Sequence, residues 1–168
     1  MPAPATLGAV PDLHRLPRDL HAALGGEGFR RRRRIVLPLL TTDPEGFPRV
    51  ALLTMGEVRA NSLSQISVAV QAESRTAFNL VRRGTATLLY LHRELTASVQ
   101  ARAGRGRVCA SDPGRHLFPL KVERVRIDRP AKEEGDVRLL TGPTFGGPDS
   151  GRLFSEELFG ELGKVKSE

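Results

Sequence analysis

The sequence predicts a mainly β protein with flanking helices, built on a small antiparallel β-barrel that one helix interrupts. From Ile35 onward, short runs rich in Val, Ile, Leu and Thr are separated by turn chemistry at close intervals, the pattern of sequential antiparallel strands. One stretch, Ala72 to Gly84, breaks that rhythm: Phe78 with Val81, and Ala77 with Leu80 and Val81, are spaced for a helix. Closing so many short strands into a barrel removes exposed edges, which makes closure the simplest architecture for them.

Taken in order, residues Met1 to Val10 are rich in Pro and Ala and carry no periodicity, as in a loosely docked arm. Leu13, Leu16, Leu20 and Leu24 predict a helix over Asp12 to Leu24, with Pro17 at a break or near its start and Gly25-Gly26 at its end. Arg30 to Arg34 then read as the solvated entrance to a strand. Ile35 to Thr41 and Pro48 to Thr54 form a hairpin about the turn Asp43-Pro44-Glu45-Gly46. Glu57 to Ala60 and Gln65 to Val70 form a second pair, in which Ile66, Val68 and Val70 alternate with polar or small residues.

After the Ala72 to Gly84 helix, the apolar run Thr85 to Leu91 predicts a strand buried on both faces, turned back at Arg93-Glu94. A long strand follows from Leu95 to Ala110, where Gly104 and Gly106 mark a bulge or bend. Ser111 to Gly114 turns the chain into a strand over Leu117 to Asp128. There the apolar phase shifts between Val122 and Val125, so a bulge and a change of face are expected. Asp136 to Thr141 suggest an edge strand, Gly142 to Gly151 a loop serving as an arm or lid, and Ser155 to Val165 a closing helix with Leu158, Phe159 and Leu162 on one stripe. The chain thus divides into an arm and short helix (1–34), a barrel domain (35–141), and a loop with a helix docking on that same domain (142–168).

At 168 residues a single domain is expected, with a mainly aliphatic core. The net charge of +7 suits an anionic partner, and Lys supplies only four of the 26 basic residues. The arginine run Arg30 to Arg34 supports a second class of function, a non-enzymatic basic protein that binds nucleic acid. No aromatic residues are interleaved with those arginines to stack bases, which counts against it. The lone Cys109 excludes an intramolecular disulfide, no segment is apolar for the length of a membrane span, and no leader is evident at the N-terminus, so a cytoplasmic protein is expected. Gly-x-Ser-x-Gly, Walker, His-Glu-x-x-His and dinucleotide-loop motifs are missing, and no histidine has a second ligand at metal spacing. No catalytic residue and no metal ligand are therefore assigned.

The helix after the fourth strand is the stretch with chemistry to offer. Glu73 or Ser74 can cap it, and Gly84 suits its C-terminal end. Its first-turn N–H groups lack intrahelical partners and carry the positive end of the helix dipole, so Ser74, Arg75 and Thr76 together suit a phosphate. The same residues equally describe an ordinary capped surface helix.

In this order the motifs resemble a known family, the pyridoxamine 5′-phosphate oxidase-like FMN-binding split-barrel proteins. The likeness runs from Ile35 to Asp128. It rests on the hairpin Leu39 to Val50, with its Thr-x-Asp-x-x-Gly-x-Pro pattern, on Met55-Gly56-Glu57-Val58-Arg59-Ala60, and on Ser74-Arg75-Thr76 followed by Asn79-Leu80. The resemblance implies a split barrel that forms a homodimer, with FMN in grooves between the subunits and a small molecule as electron donor or acceptor. It implies that Ser74, Arg75 and Thr76 bind the flavin phosphate with Asn79 beside it, and that Arg34 approaches the same group. Val50, Ala51, Leu52 and Leu53 would line the ring with backbone groups, and Gln100 would reach it across the dimer. Haem and deazaflavin are bound by some similar barrels, and His116 is the residue that raises haem. Two departures are plain. The Arg-Leu-x-Pro ending of true pyridoxamine 5′-phosphate oxidases is missing after Val122, and the lysine that usually follows the Ser-Arg pair is Thr76.

Overall fold

A computed structural model describes residues 12–93, 95–128, 139–147 and 155–166. Helices α1 (Arg18–Leu24) and α2 (Phe29–Arg32) precede the hairpin β1 (Val36–Thr42) and β2 (Pro48–Thr54). A 3-10 turn, Met55–Glu57, leads into β3 (Val58–Ser62) and β4 (Gln65–Gln71), and α3 (Arg75–Arg83) follows. The remaining elements are β5 (Thr85–His92), β6 (Leu95–Ala103), β7 (Arg107–Val108), β8 (Arg115–Asp128) and α4 (Glu156–Leu162).

The strands form one antiparallel sheet in the order β2-β1-β5-β6-β8-β4-β3, with β7 added on β8. Its two outermost strands, β2 and β3, are consecutive in the chain and joined by the 3-10 turn rather than by a ladder. The curled sheet is therefore a split barrel, mainly β with flanking helices. Alternation along each strand sends Leu37, Leu39, Val58, Ile66, Val68, Leu88, Val99, Phe118 and Leu120 into one core. Leu16, Leu20 and Leu24 bring α1 onto the same core.

The first hairpin turns where expected. Gly46 takes φ +94, a conformation that costs other residues, while Asp43 accepts the Phe47 N–H at 2.8 Å. The expected bend in the strand after β5 is a full interruption: β6 stops at Ala103 and β7 restarts at Arg107. Close approach explains it, since a Cβ on Gly104 would lie 2.9 Å from Pro119 Cγ and one on Gly106 would lie 2.5 Å from Phe118 Cε1. Only bare backbone can cross β8 there.

Several expectations are corrected. Helix α1 begins only after Pro17, because the ring removes a donor and fixes φ, and Leu13 instead pairs with Val125 as a bridge. The arginine run is partly helical rather than a strand entrance; Arg32 folds back to donate to the Glu27 carbonyl at 2.9 Å. β5 is not buried on both faces, for Ala86, Leu88 and Tyr90 are buried while the residues between them are half-buried. The bulge in β8 is present, but the change of face is not. Gln100 pairs with Arg124 and Ala101 with Val122, so Glu123 is the extra residue and Val122 and Val125 both remain in the core.

The described part of the expected edge strand, residues 139–141, is not a strand, and residues 136–138 lie outside the described residues. The following loop is not free where it is described. It pairs with the start of β1 through a Thr144–Ile35 bridge, and the Val36 N–H donates to the Pro143 carbonyl at 2.9 Å. β8 also begins before the expected Leu117, so that His116 lies within it, opposite Val70. Finally, α4 docks on the outer face of β4 and β8, where Leu158 and Leu162 form a second cluster with Ala69, Leu117 and Cys109. No described helix is long and apolar enough to cross a membrane.

Candidate functional site

Helix α3 opens directly off β4. The Ala72 N–H donates to the Gly114 carbonyl at 2.8 Å, and the Ser74 N–H turns back to the Gln71 carbonyl at 3.1 Å. Ser74 is extended, with φ −79 and ψ 153, and its Oγ accepts the Ala77 N–H at 3.1 Å. Gly84 ends the helix at φ +65, its N–H on the Leu80 carbonyl at 3.1 Å. The serine thus serves one first-turn donor, while the N–H groups of Arg75 and Thr76 have no intrahelical partner. Arg75 is exposed and meets no acidic partner among the described residues; Thr76 is buried.

Asn79 lies one turn further on and is buried. Its Nδ2 donates to Thr41 Oγ1 at 3.0 Å, tying α3 along β1. Because Val36 pairs with Thr54 and Thr42 with Pro48, that tie sets the direction of α3 relative to the hairpin. The helix opening falls at the Val36 end. The Thr54 N–H there donates to Glu57 Oε2 at 2.7 Å, Glu57 pairs with Arg115, and Arg115 stands opposite Gln71 in the ladder. Arg34 also lies beyond the Val36 end and is exposed, its carbonyl accepting the Phe145 N–H at 2.7 Å. Arg31 and Arg33 are exposed as well.

The four β2 positions divide by the strand's alternation. Val50 and Leu52 are 54% and 59% exposed, Ala51 is half-buried, and Leu53 is 5% exposed in the core. Leu53 can therefore offer a ligand its backbone only. Among the described residues β2 has a strand partner on one side alone, which leaves half of its backbone N–H and C=O groups facing outward. Gln100 lines a cleft of about 330 Å³ with Leu40, Thr42, Thr87 and Glu123. That cleft lies four residues along β1 from Val36, roughly 13 Å at the usual strand rise. Within one copy of the chain, then, Ser74, Arg75, Thr76 and Arg34 share one end of the hairpin and Gln100 lies toward the other.

Two residues were not singled out from the sequence, Arg115 at this end and Arg49 toward the hairpin turn, opposite Thr41. Arg115 is held between Glu57 and Asp112. Burial acts to lower its pKa, but bonding to Glu57 and then to Asp112 outweighs it, so the guanidinium is held charged above its ordinary range. Glu57 and Arg115 are 58 residues apart, a separation at which no local sequence signal operates. Arg49, exposed on the edge strand β2 and without an acidic partner among the described residues, adds a further cation. Its place in the hairpin beside Val50 was the available signal.

No family model matches the chain, and no curated protein matches its sequence. Solved structures do match. One is a provisionally named pyridoxamine 5′-phosphate oxidase from Lactobacillus delbrueckii, 17% identical, with 68% of this chain aligned to 95% of that one at a TM-score of 0.54. Another is an FMN-binding protein from Syntrophomonas wolfei, 12% identical, aligned over 68% of this chain and 89% of that one at 0.52. An F420 reductase, 10% identical, aligns over 66% of this chain and 98% of that one at 0.51. At such identities the likeness defines the fold, and this chain has the split-barrel fold of those proteins.

Proposed function

We propose that this chain binds FMN and acts as a flavin-dependent oxidoreductase, working as a homodimer with a small-molecule electron donor or acceptor. The observation that carries this reading is the opening of α3, where the first-turn N–H groups of Arg75 and Thr76 lack intrahelical partners and the exposed Arg75 meets no acidic partner among the described residues. Such an opening suits a phosphate dianion, because the donors, the dipole and the cation all favour negative charge. The residues present fit the phosphate end of a flavin even with Thr76 where similar proteins carry lysine. Arg34, just before the hairpin that α3 packs against, and Arg49, on its second strand, are two further exposed cations.

When bound, the isoalloxazine ring supplies the hydride or electron transfer, and the chain supplies binding and orientation. In that division of labour Ser74 holds the helix start in shape, Arg75 and the first-turn N–H groups hold the phosphate, and the outward backbone of β2 lines the ring. Val50 and Leu52, the exposed apolar side chains of that strand, would shield a bound ring from water. A second copy of the chain covers the same apolar strip, and Gln100 serves the site of the other copy.

The purified protein is expected to be yellow, with flavin absorbance in the visible range and release of FMN on denaturation. In a titration of the stripped protein, Arg75→Ala weakens FMN by roughly tenfold or more, the worth of a charge-assisted phosphate contact, while Arg105→Ala leaves it unchanged. A colourless protein that FMN fails to stabilise thermally would overturn the reading.

A further inference from the structure

Many exposed arginines of the barrel wall have acidic neighbours: Arg124 and Arg126 share Asp12, and Arg102 meets Glu123. One group of four cations has, among the described residues, a single acidic neighbour. The glycine bend between β6 and β7 and the segment leaving α4 bring Arg105, Arg107, Lys164 and Lys166 around a pocket of about 580 Å³. Arg107 donates to the Glu161 carbonyl at 3.3 Å and lies 3.9 Å from its carboxylate, and the other three have no acidic partner among the described residues. Four like charges around one cavity repel each other, and a bound anion relieves that repulsion.

A second trough, of about 460 Å³, shares Arg105 and Gly106 with this pocket and runs from there to α3. Leu80, Val81, Ala103 and Phe118 give it apolar walls, and His116 stands beside the Phe118 ring, centroids 6.3 Å apart. Val81, which lines the trough, is 70% exposed and lies on the solvent side of α3. The two cavities meet over Gly106. Its backbone lies against Phe118 so closely that a side chain would need that space.

We propose that this saddle is a nucleotide site, with a planar base in the apolar trough and two or more phosphates in the basic pocket. Both cavities are in the size range of small-ligand sites. Phosphate is the anion that fits, because Arg105 and Arg107 provide forked donors and the two lysines provide compact charge. The apolar walls allow a base to leave water, a gain that bare pyrophosphate would not have. The site is separate from the opening of α3: the trough meets that helix at Leu80, Val81 and Gly84, and Gly84 lies roughly 15 Å along the helix from Ser74. It therefore stands without the flavin reading.

Calorimetric titration of ADP into the full chain tests this, with adenosine, pyrophosphate and FMN titrated in parallel. ADP is expected to bind more tightly than either adenosine or pyrophosphate. The Arg105→Ala/Lys164→Ala double variant weakens ADP by roughly tenfold or more and leaves FMN binding as it was. Val81→Glu weakens ADP and leaves its thermal midpoint close to wild type, since the side chain is exposed. The proposal is overturned by any of four results: no ADP binding at about 1 mM, equal ADP affinity in the double variant, pyrophosphate binding as tightly as ADP, or affinity for single-stranded RNA alone. Loss of FMN binding in the double variant would also overturn it, by making the saddle the flavin phosphate site.

Discussion

Asn79 shows how one side chain can fix a helix on a sheet. Its amide reaches Thr41 across the face where α3 lies on β1, and both residues are buried. Truncation removes the bond, leaves the Thr41 hydroxyl without that donor and opens a void. Asn79→Ala is therefore expected to cost about 1–3 kcal/mol. A shift in the denaturant midpoint at constant slope is the measurement, because constant slope shows that the unfolding reaction is unchanged. An unmoved midpoint would contradict the assignment. The asparagine was picked out from the sequence as a neighbour of the phosphate. Its bond to Thr41 could not be read there, since the two residues are 38 apart in the chain.

At the scale of elements, α4 is held to the barrel by polar contacts at its C-terminal end. Asn61 Nδ2 lies 3.0 Å from the carbonyls of Leu162 and Val165, and Gln65 Nε2 donates to Val165 at 2.8 Å. On its other side Glu161 accepts the N–H groups of Ser111 at 2.6 Å and Ala110 at 2.8 Å. Hydrogen bonds from Ser111, then from the Ala110 N–H, bring the Glu161 pKa from 4.5 down to about 2. The folded value lies below the unfolded one, so this stabilisation is fully present above pH 4.5 and is lost as the pH falls through about 2. Cys109, buried under α4, reports it. Its labelling by dithiodipyridine, which reacts in acid, is expected to accelerate across that window, and Glu161→Gln labels fast already at neutral pH. Labelling equally slow in both proteins at neutral pH would contradict the clamp.

For the whole molecule, the open edge is the decisive feature. β2 ends the sheet with Val50 and Leu52 outward, and Phe47 at the hairpin turn is exposed beside them. Edge strands with apolar side chains pair or aggregate unless something covers them. If a second copy covers this one, sedimentation gives a dimer for the wild type and a folded monomer for Leu52→Glu, which also loses FMN. Identical sedimentation of the two proteins would remove both the dimer and the shared flavin groove.

Much of the architecture was determined locally, by signals that act over a few residues. Turn chemistry at Asp43 to Gly46, the Ser74 and Gly84 caps of α3, the Ser155 cap of α4 and the phase shift in β8 each correspond to an observed feature. Such features are legible because capping, φ > 0 and side-chain alternation are properties of the chain over one or two turns. Tertiary structure alone decided what lies between distant segments. It turned the β8 phase shift into an inward-keeping bulge, placed the 143–145 loop against β1, joined Glu57 to Arg115, and gathered Arg105 and Arg107 with Lys164 and Lys166 around one pocket. The helix opening at Ser74 belongs to both: its cap is written in neighbouring residues, while the Asn79–Thr41 bond that lays the helix on β1 joins segments 38 residues apart.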